Sequence, residues 1–164
     1  MMKFILRIIL NCAAGVMVST AFFQEAGASL ILSAALQLPV TFGPKDIDVR
    51  PIPHRIARKI CQQKHYLKSF PGSSVLSFGV FAAGRLLGVL VLGVGPSNLH
   101  RYFEGAEPEQ VMCLSRLWLD YRLGRNSESR TLSIVMRHLR RHQDTIKAVV
   151  AYADPDAGHV GVVY

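Results

Sequence analysis

Two runs decide the fold: VLSFGVFA, residues 75–82, and RLLGVLVL, residues 85–92, joined by Ala83-Gly84. Both are apolar and strand-forming, and two turn residues between such runs predict a β-hairpin. Gly93-Val94-Gly95-Pro96 ends the second run. Toward the carboxyl end, Leu99 to Glu109 is polar and irregular and reads as a long loop. Val111 to Leu119 follows as a strand carrying Ser115, Arg116 and Trp118. Asn126-Ser127-Glu128-Ser129 opens a helix to about His142, with Leu132, Val135, Met136 and Leu139 on its buried face. Lys147 to Tyr152 is a short, almost wholly apolar strand, as expected in the middle of a sheet.

Toward the amino end, Ser69-Phe70-Pro71-Gly72-Ser73 is a loop. Before it, Arg55 to His65 has the pattern of a basic amphipathic helix, with Ile56, Ile60 and Lys64 or Cys61 on one side and Arg55, Arg58 and Lys59 on the other. Asp48-Val49-Arg50-Pro51-Ile52 reads as a first strand that its proline confines to an edge or an end. The order strand, helix, hairpin, strand, helix, strand is mixed α/β, a sheet covered by helices.

The chain has 164 residues, half of them hydrophobic, and a mean hydropathy of +0.26, which excludes wholesale disorder. Its net charge of +8 favours a polyanionic partner, nucleic acid or anionic lipid. Cys12, Cys61 and Cys113 form an odd, widely spaced set with no disulfide framework and no zinc pair. Residues 1–44 carry only Lys3, Arg7 and Glu25, and the apolar stretch Ile8 to Phe23 before Ala26-Gly27-Ala28 has the layout of a secretory signal. Three readings of this leader stand open: an export or anchor segment, a core helix, or upstream sequence joined by an early start. The working division is a leader, 1–44, and one α/β domain, 45–164.

Four places could carry chemistry. Leu123-Gly124-Arg125-Asn126-Ser127-Glu128-Ser129-Arg130 leads into a helix start, whose free N–H groups attract an anion and to which Arg125 and Arg130 would add charge. Its ordinary structural reading is a helix capped by Asn126. His65-Tyr66, beside Lys64 and Lys68, suits acid–base work or metal ligation, or is simply a helix end. Ser115-Arg116 interrupts an apolar strand, so the arginine faces a cleft, faces outward, or pairs with Asp120 or Glu128. Asp154, Asp156 and His159 follow directly after a strand, where α/β sheets collect ligands; an Asp-Pro turn is the plainer reading. Gly93-Val94-Gly95 makes no nucleotide fingerprint. Basic residues gather around the first helix (Arg50, His54, Arg55, Arg58, Lys59, Lys64, Lys68) and at the end of the second (Arg137, His138, Arg140, Arg141, His142).

Residues from about Asp48 onward resemble the Mom-like phage proteins that modify adenine in DNA, relatives of the GNAT acyltransferases. The resemblance is carried by Val49-Arg50-Pro51-Ile52, Lys64-His65-Tyr66-Leu67, Phe78-Gly79-Val80-Phe81 and Leu114-Ser115-Arg116-Leu117-Trp118. It continues through Asn126-Ser127-Glu128-Ser129-Arg130 and Tyr152-Ala153-Asp154-Pro155-Asp156-Ala157-Gly158-His159-Val160-Gly161. It implies a GNAT-like mixed central sheet flanked by helices, here without its last elements, since such proteins continue past the final strand. It implies conversion of adenine N6 to a carbamoylmethyl (acetamido) derivative that protects phage DNA from restriction. By the same resemblance, His65, Tyr66, Ser115, Arg116 and Asp154 would line the reaction cleft. Arg125, Asn126, Ser127, Ser129 and Arg130 would hold the pyrophosphate of an acyl-CoA-like donor. Iron would be held by His65, Tyr66 and Asp154. Double-stranded DNA and a small-molecule donor are the implied partners, with no obligate protein partner and a cytoplasmic location. Two other readings remain: a GNAT-type N-acyltransferase of a small amine or protein, and an exported or membrane-anchored basic module tethered through residues 1–28.

Overall fold

The computed structural model describes residues 5–9 and 41–154. Six strands form one sheet in the order β1-β6-β5-β4-β3-β2: β1 (Ile5–Ile9), β2 (Asp48–Pro51), β3 (Ser74–Ala82), β4 (Arg85–Gly93), β5 (Val111–Leu119) and β6 (Ala148–Tyr152). All neighbours are antiparallel except β5 and β6, which are parallel. Helix α1 (His54–Lys64) follows β2, and α2 (Ser127–His142) crosses from β5 to β6. The architecture is mixed α/β, in the element order that the sequence predicts from Asp48.

The β3–β4 hairpin turns on Ala83 (φ 47°) and Gly84 (φ 73°), both left-handed, as in a type I′ turn whose twist matches the strands it joins. Pro51 lacks an N–H to donate and closes β2, which lies at the sheet edge. Strand β4 explains the two-layer cover. Its alternate residues face opposite sides. Val89 and Val91 pack under α1 with Ala57, Cys61, Ile52, Ile60, Phe70 and Trp118. Leu90 and Leu92 pack under α2 with Leu132, Val135, Met136 and Leu139, together with Phe78, Met112, Leu114, Val149 and Ala151.

The buried face of α2 is the one its periodicity predicts. That of α1 differs: Ala57 and Cys61 are fully buried, whereas Ile56 is 37% exposed. Small side chains at Ala57 and Cys61 let the helix approach Val89 and Val91 closely, which turns Ile56 toward solvent. The loop expected over 99–109 contains two short 3-10 turns, Leu99–Tyr102 and Pro108–Gln110. Ile8 and Ile9, the start of the apolar leader, belong to β1, which pairs with β6 from Ile5↔Tyr152 to Ile9↔Ala148. Residues 1–4 and 10–40 of the leader, and the tail 155–164 with Asp156 and His159, lie outside the described residues. Among the described residues, no helix is long and apolar enough to cross a membrane.

Candidate active site

Parallel pairing between β5 and β6 runs from Val111↔Ala148 to Leu114↔Ala151 and stops there, while β5 continues to Leu119. At the same point β5 bulges against β4: Arg116 is opposite Val91 and Leu114 opposite Leu92, leaving Ser115 as an extra residue. A bulge bends its strand and re-aims the side chains it carries. Gly93 makes room for this one. A Cβ there would lie 3.1 Å from Ser115 Oγ and 2.6 Å from the Ser73 carbonyl oxygen. The Ser115 hydroxyl donates to the Cys113 carbonyl at 3.4 Å.

Arg116 pairs with neither Asp120 nor Glu128. Its Nε donates to the Ser69 carbonyl (3.2 Å), Nη2 to Ser69 Oγ (2.9 Å) and Nη1 to the Ser115 carbonyl (2.6 Å). The guanidinium therefore anchors the loop that leaves α1. Asp120 is taken by Arg122, in a fork of 2.8 and 3.0 Å plus the Arg122 amide at 3.0 Å. These bonds hold the Asp120 carboxyl below the usual carboxylate range. Burial raises the Cys61 and Cys113 thiols, and the Arg116 charge opposes it in both cases.

Helix α1 ends at Lys64, and His65 caps it in extended geometry with its N–H on the Cys61 carbonyl. His65 is buried and continues the Ala57–Cys61 face. Its Nδ1 accepts the Leu67 amide at 3.2 Å, so the neutral ring carries its proton on Nε2. The Tyr66 ring stacks on it, centroids 4.5 Å apart. The Tyr66 hydroxyl, from a half-exposed side chain, donates to Asp154 Oδ2 at 3.0 Å. Asp154 lies two residues beyond the carboxyl end of β6. His65-Tyr66 and Asp154, 88 positions beyond Tyr66 in sequence, thus form one cluster beside the divergence of β5 and β6. Arg116 holds Ser69, three residues past Tyr66.

The start of α2 is a separate place. Asn126 occupies the cap position but is left-handed (φ 68°), not the extended geometry of a capping residue, and makes no side-chain cap bond. Arg125, Asn126 and Ser129 are exposed. Ser127 is fully buried and its hydroxyl donates to the Gly124 carbonyl at 2.6 Å, so this side chain faces inward rather than toward a ligand. Arg130 Nε and Thr131 Oγ1 are buried without a hydrogen-bond partner among the described residues. Phe42 fixes the preceding loop, accepting the Gly124 amide and donating to the Arg122 carbonyl, both at 2.8 Å. Sequence reasoning passes over Ser69, which takes Arg116 on both its carbonyl and its hydroxyl, and Phe42, which acts through backbone groups that no spacing announces.

The profile of the Mom protein family matches residues 46–164. The chain belongs to the Mom protein family. The match takes in β2 through β6 and both helices, and with them all ten site residues. A curated relative, named "Methylcarbamoylase mom", of Escherichia phage Mu, is 36% identical over 127 residues, which is 76% of this chain and 53% of the relative. The chain spans about half the length of that relative.

Proposed function

We propose that this protein transfers a carbamoylmethyl group to N6 of adenine in double-stranded DNA, with Tyr66 and Asp154 at the reacting centre. The observation that carries the reading is the Tyr66–Asp154 hydrogen bond at the carboxyl end of β6, in a chain of the Mom protein family. The named activity of the phage Mu relative supplies the reaction class.

The demands of that reaction fit the residues. Adenine N6 is a weak nucleophile inside a stacked duplex, so the base must be extruded into a pocket. There N6 bonds to the donor's methylene carbon, the leaving group departs with the bonding pair, and N6 gives up a proton. Asp154 accepts that proton, and the Tyr66 hydroxyl holds the carboxylate in place. His65 fixes the Tyr66 ring by stacking, and Arg116 fixes the loop behind it.

A GNAT-like path for the donor is consistent with the end of β5–β6 pairing at Leu114↔Ala151 and with the bulge at Ser115. An acyl-CoA-like donor would place its anionic end at the first turn of α2, where Asn126 contributes no cap and Arg125 and Arg130 bring charge. Iron is the second proposed cofactor. Tyr66 and Asp154, hydrogen-bonded to each other, would offer it two oxygen ligands. His65 would serve as the third ligand only on giving up the Leu67 amide: while Nδ1 accepts that amide, the proton on Nε2 leaves no lone pair for a metal. When bound, such an ion supplies Lewis-acid charge beside the donor. A DNA substrate places the protein in the cytoplasm, and the modified base would block restriction nucleases.

Expression of the full chain with a plasmid, followed by mass spectrometry of the digested nucleosides, tests the reading. A carbamoylmethyl-adenosine peak is expected. Unmodified adenine from cells that contain the folded protein would contradict it.

A further inference from the structure

We propose that the outward face of α1, carrying Arg55, Arg58, Lys59 and Gln62, seats the phosphate backbone of duplex DNA, and that the basic end of α2 does not. The inference rests on the DNA-modifying reading above and identifies the surface that reading requires. These four residues fall at i, i+3, i+4 and i+7, a single helix face opposite the buried Ala57 and Cys61. All four are exposed.

Among the described residues nothing accounts for this charge. Helix α1 contains no Asp or Glu, and the ion pairs among the described residues are Arg50–Asp48 and Arg122–Asp120. Arg55, Arg58 and Lys59 lie in the amino-terminal half of the helix, where the dipole disfavours cations. Arg137, Arg140 and Arg141 stand in the last two turns of α2, where the dipole favours them. The second cluster has a structural explanation and the first has none.

Placement agrees with charge. Helix α1 is about 16 Å long and runs directly into His65 and Tyr66. It covers the sheet face that Trp118 shares, whereas α2 covers the other. Arg58 lies over the Phe70 ring at 5.3 Å, which orients its guanidinium before any ligand arrives. A duplex along this face has its extruded base beside Tyr66 and Asp154.

Duplex binding measured against salt for two triple variants of the full chain decides the matter. Each neutralised phosphate contact adds about 0.9 to the log–log salt slope. R55Q/R58Q/K59Q is expected to lose about 2–3 from that slope and to bind on the order of 100-fold more weakly at 0.15 M salt. R137Q/R140Q/R141Q, with the same loss of net charge, is expected to keep the wild-type slope. Equal losses in both triples, or a loss confined to the α2 triple, would overturn the proposal. The single variants R55Q, R58Q and K59Q, each checked by circular dichroism, give the same answer if the triple misfolds. Wild-type protein that binds phosphatidylserine vesicles but no duplex also overturns it. Protein that binds duplex through α1 while plasmid adenine stays unmodified contradicts the function and leaves the docking surface standing.

Discussion

Tyr66 and Asp154 meet across 88 positions of sequence through a single hydroxyl–carboxylate hydrogen bond. Because the Tyr66 side chain is half exposed, that bond adds little to stability, about 1 kcal/mol or less. Tyr66→Phe should therefore leave the thermal midpoint nearly unchanged while adenine modification falls on the order of 100-fold, as for loss of a group that positions the base. A large drop in midpoint with activity retained would assign the bond a structural role. Asp120 behaves oppositely. Arg122 holds its carboxyl below the ordinary range, so the pair's contribution is present above the unfolded pKa and is lost as pH falls through the lowered folded value. Asp120→Asn should lower stability at neutral pH and flatten the acid limb of stability below about pH 4, read by urea unfolding across pH. Arg116 uses three geometrically fixed donors on Ser69 and Ser115, which an ammonium cannot reproduce. Arg116→Lys should thus loosen the loop and lower modification with only a modest loss of stability.

Strand β5 shows how an element is tuned at one residue. Gly93 pairs with Cys113 beside the bulge at Ser115, and an added Cβ there meets the Ser73 carbonyl at 2.6 Å and Ser115 Oγ at 3.1 Å. Because a backbone carbonyl gives way less readily than a side chain, Gly93→Ala should lower both the urea midpoint and plasmid adenine modification. Helix α2 is a packing element, and Leu139, fully buried, predicts a loss of about 2–5 kcal/mol on substitution by alanine. The periodicity of α2 and the alternation of β3 and β4 made these elements readable from sequence, because tertiary packing there reinforces local pattern. Ile56 misleads for the reverse reason: Ile60 and Cys61 pack on the sheet as expected, but the small Ala57 takes the place beside them and leaves Ile56 outside. Asn126 misleads likewise. A residue favoured at caps serves here as a left-handed hinge, with its amide unused for capping.

At the scale of the molecule, the sheet divides two basic clusters and puts only one beside the Tyr66–Asp154 pair. Composition registers the net charge but not the division, which depends on α1 and α2 covering opposite faces. The candidate site was legible as separate blocks: His65-Tyr66, Ser115-Arg116 and Asp154 each stand out by residue type. Residue type and spacing did not bring them together; only the family resemblance placed them in one cleft, because the Tyr66–Asp154 contact and the Ser69 anchor arise from backbone geometry. The most direct test of the central claim is nucleoside mass spectrometry of plasmid DNA from cells expressing the wild-type chain, Tyr66→Phe or Asp154→Asn at matched levels of folded protein. The account predicts carbamoylmethyl-adenosine from the wild type and its near disappearance from both variants. Equal amounts of the modified nucleoside from all three would contradict it.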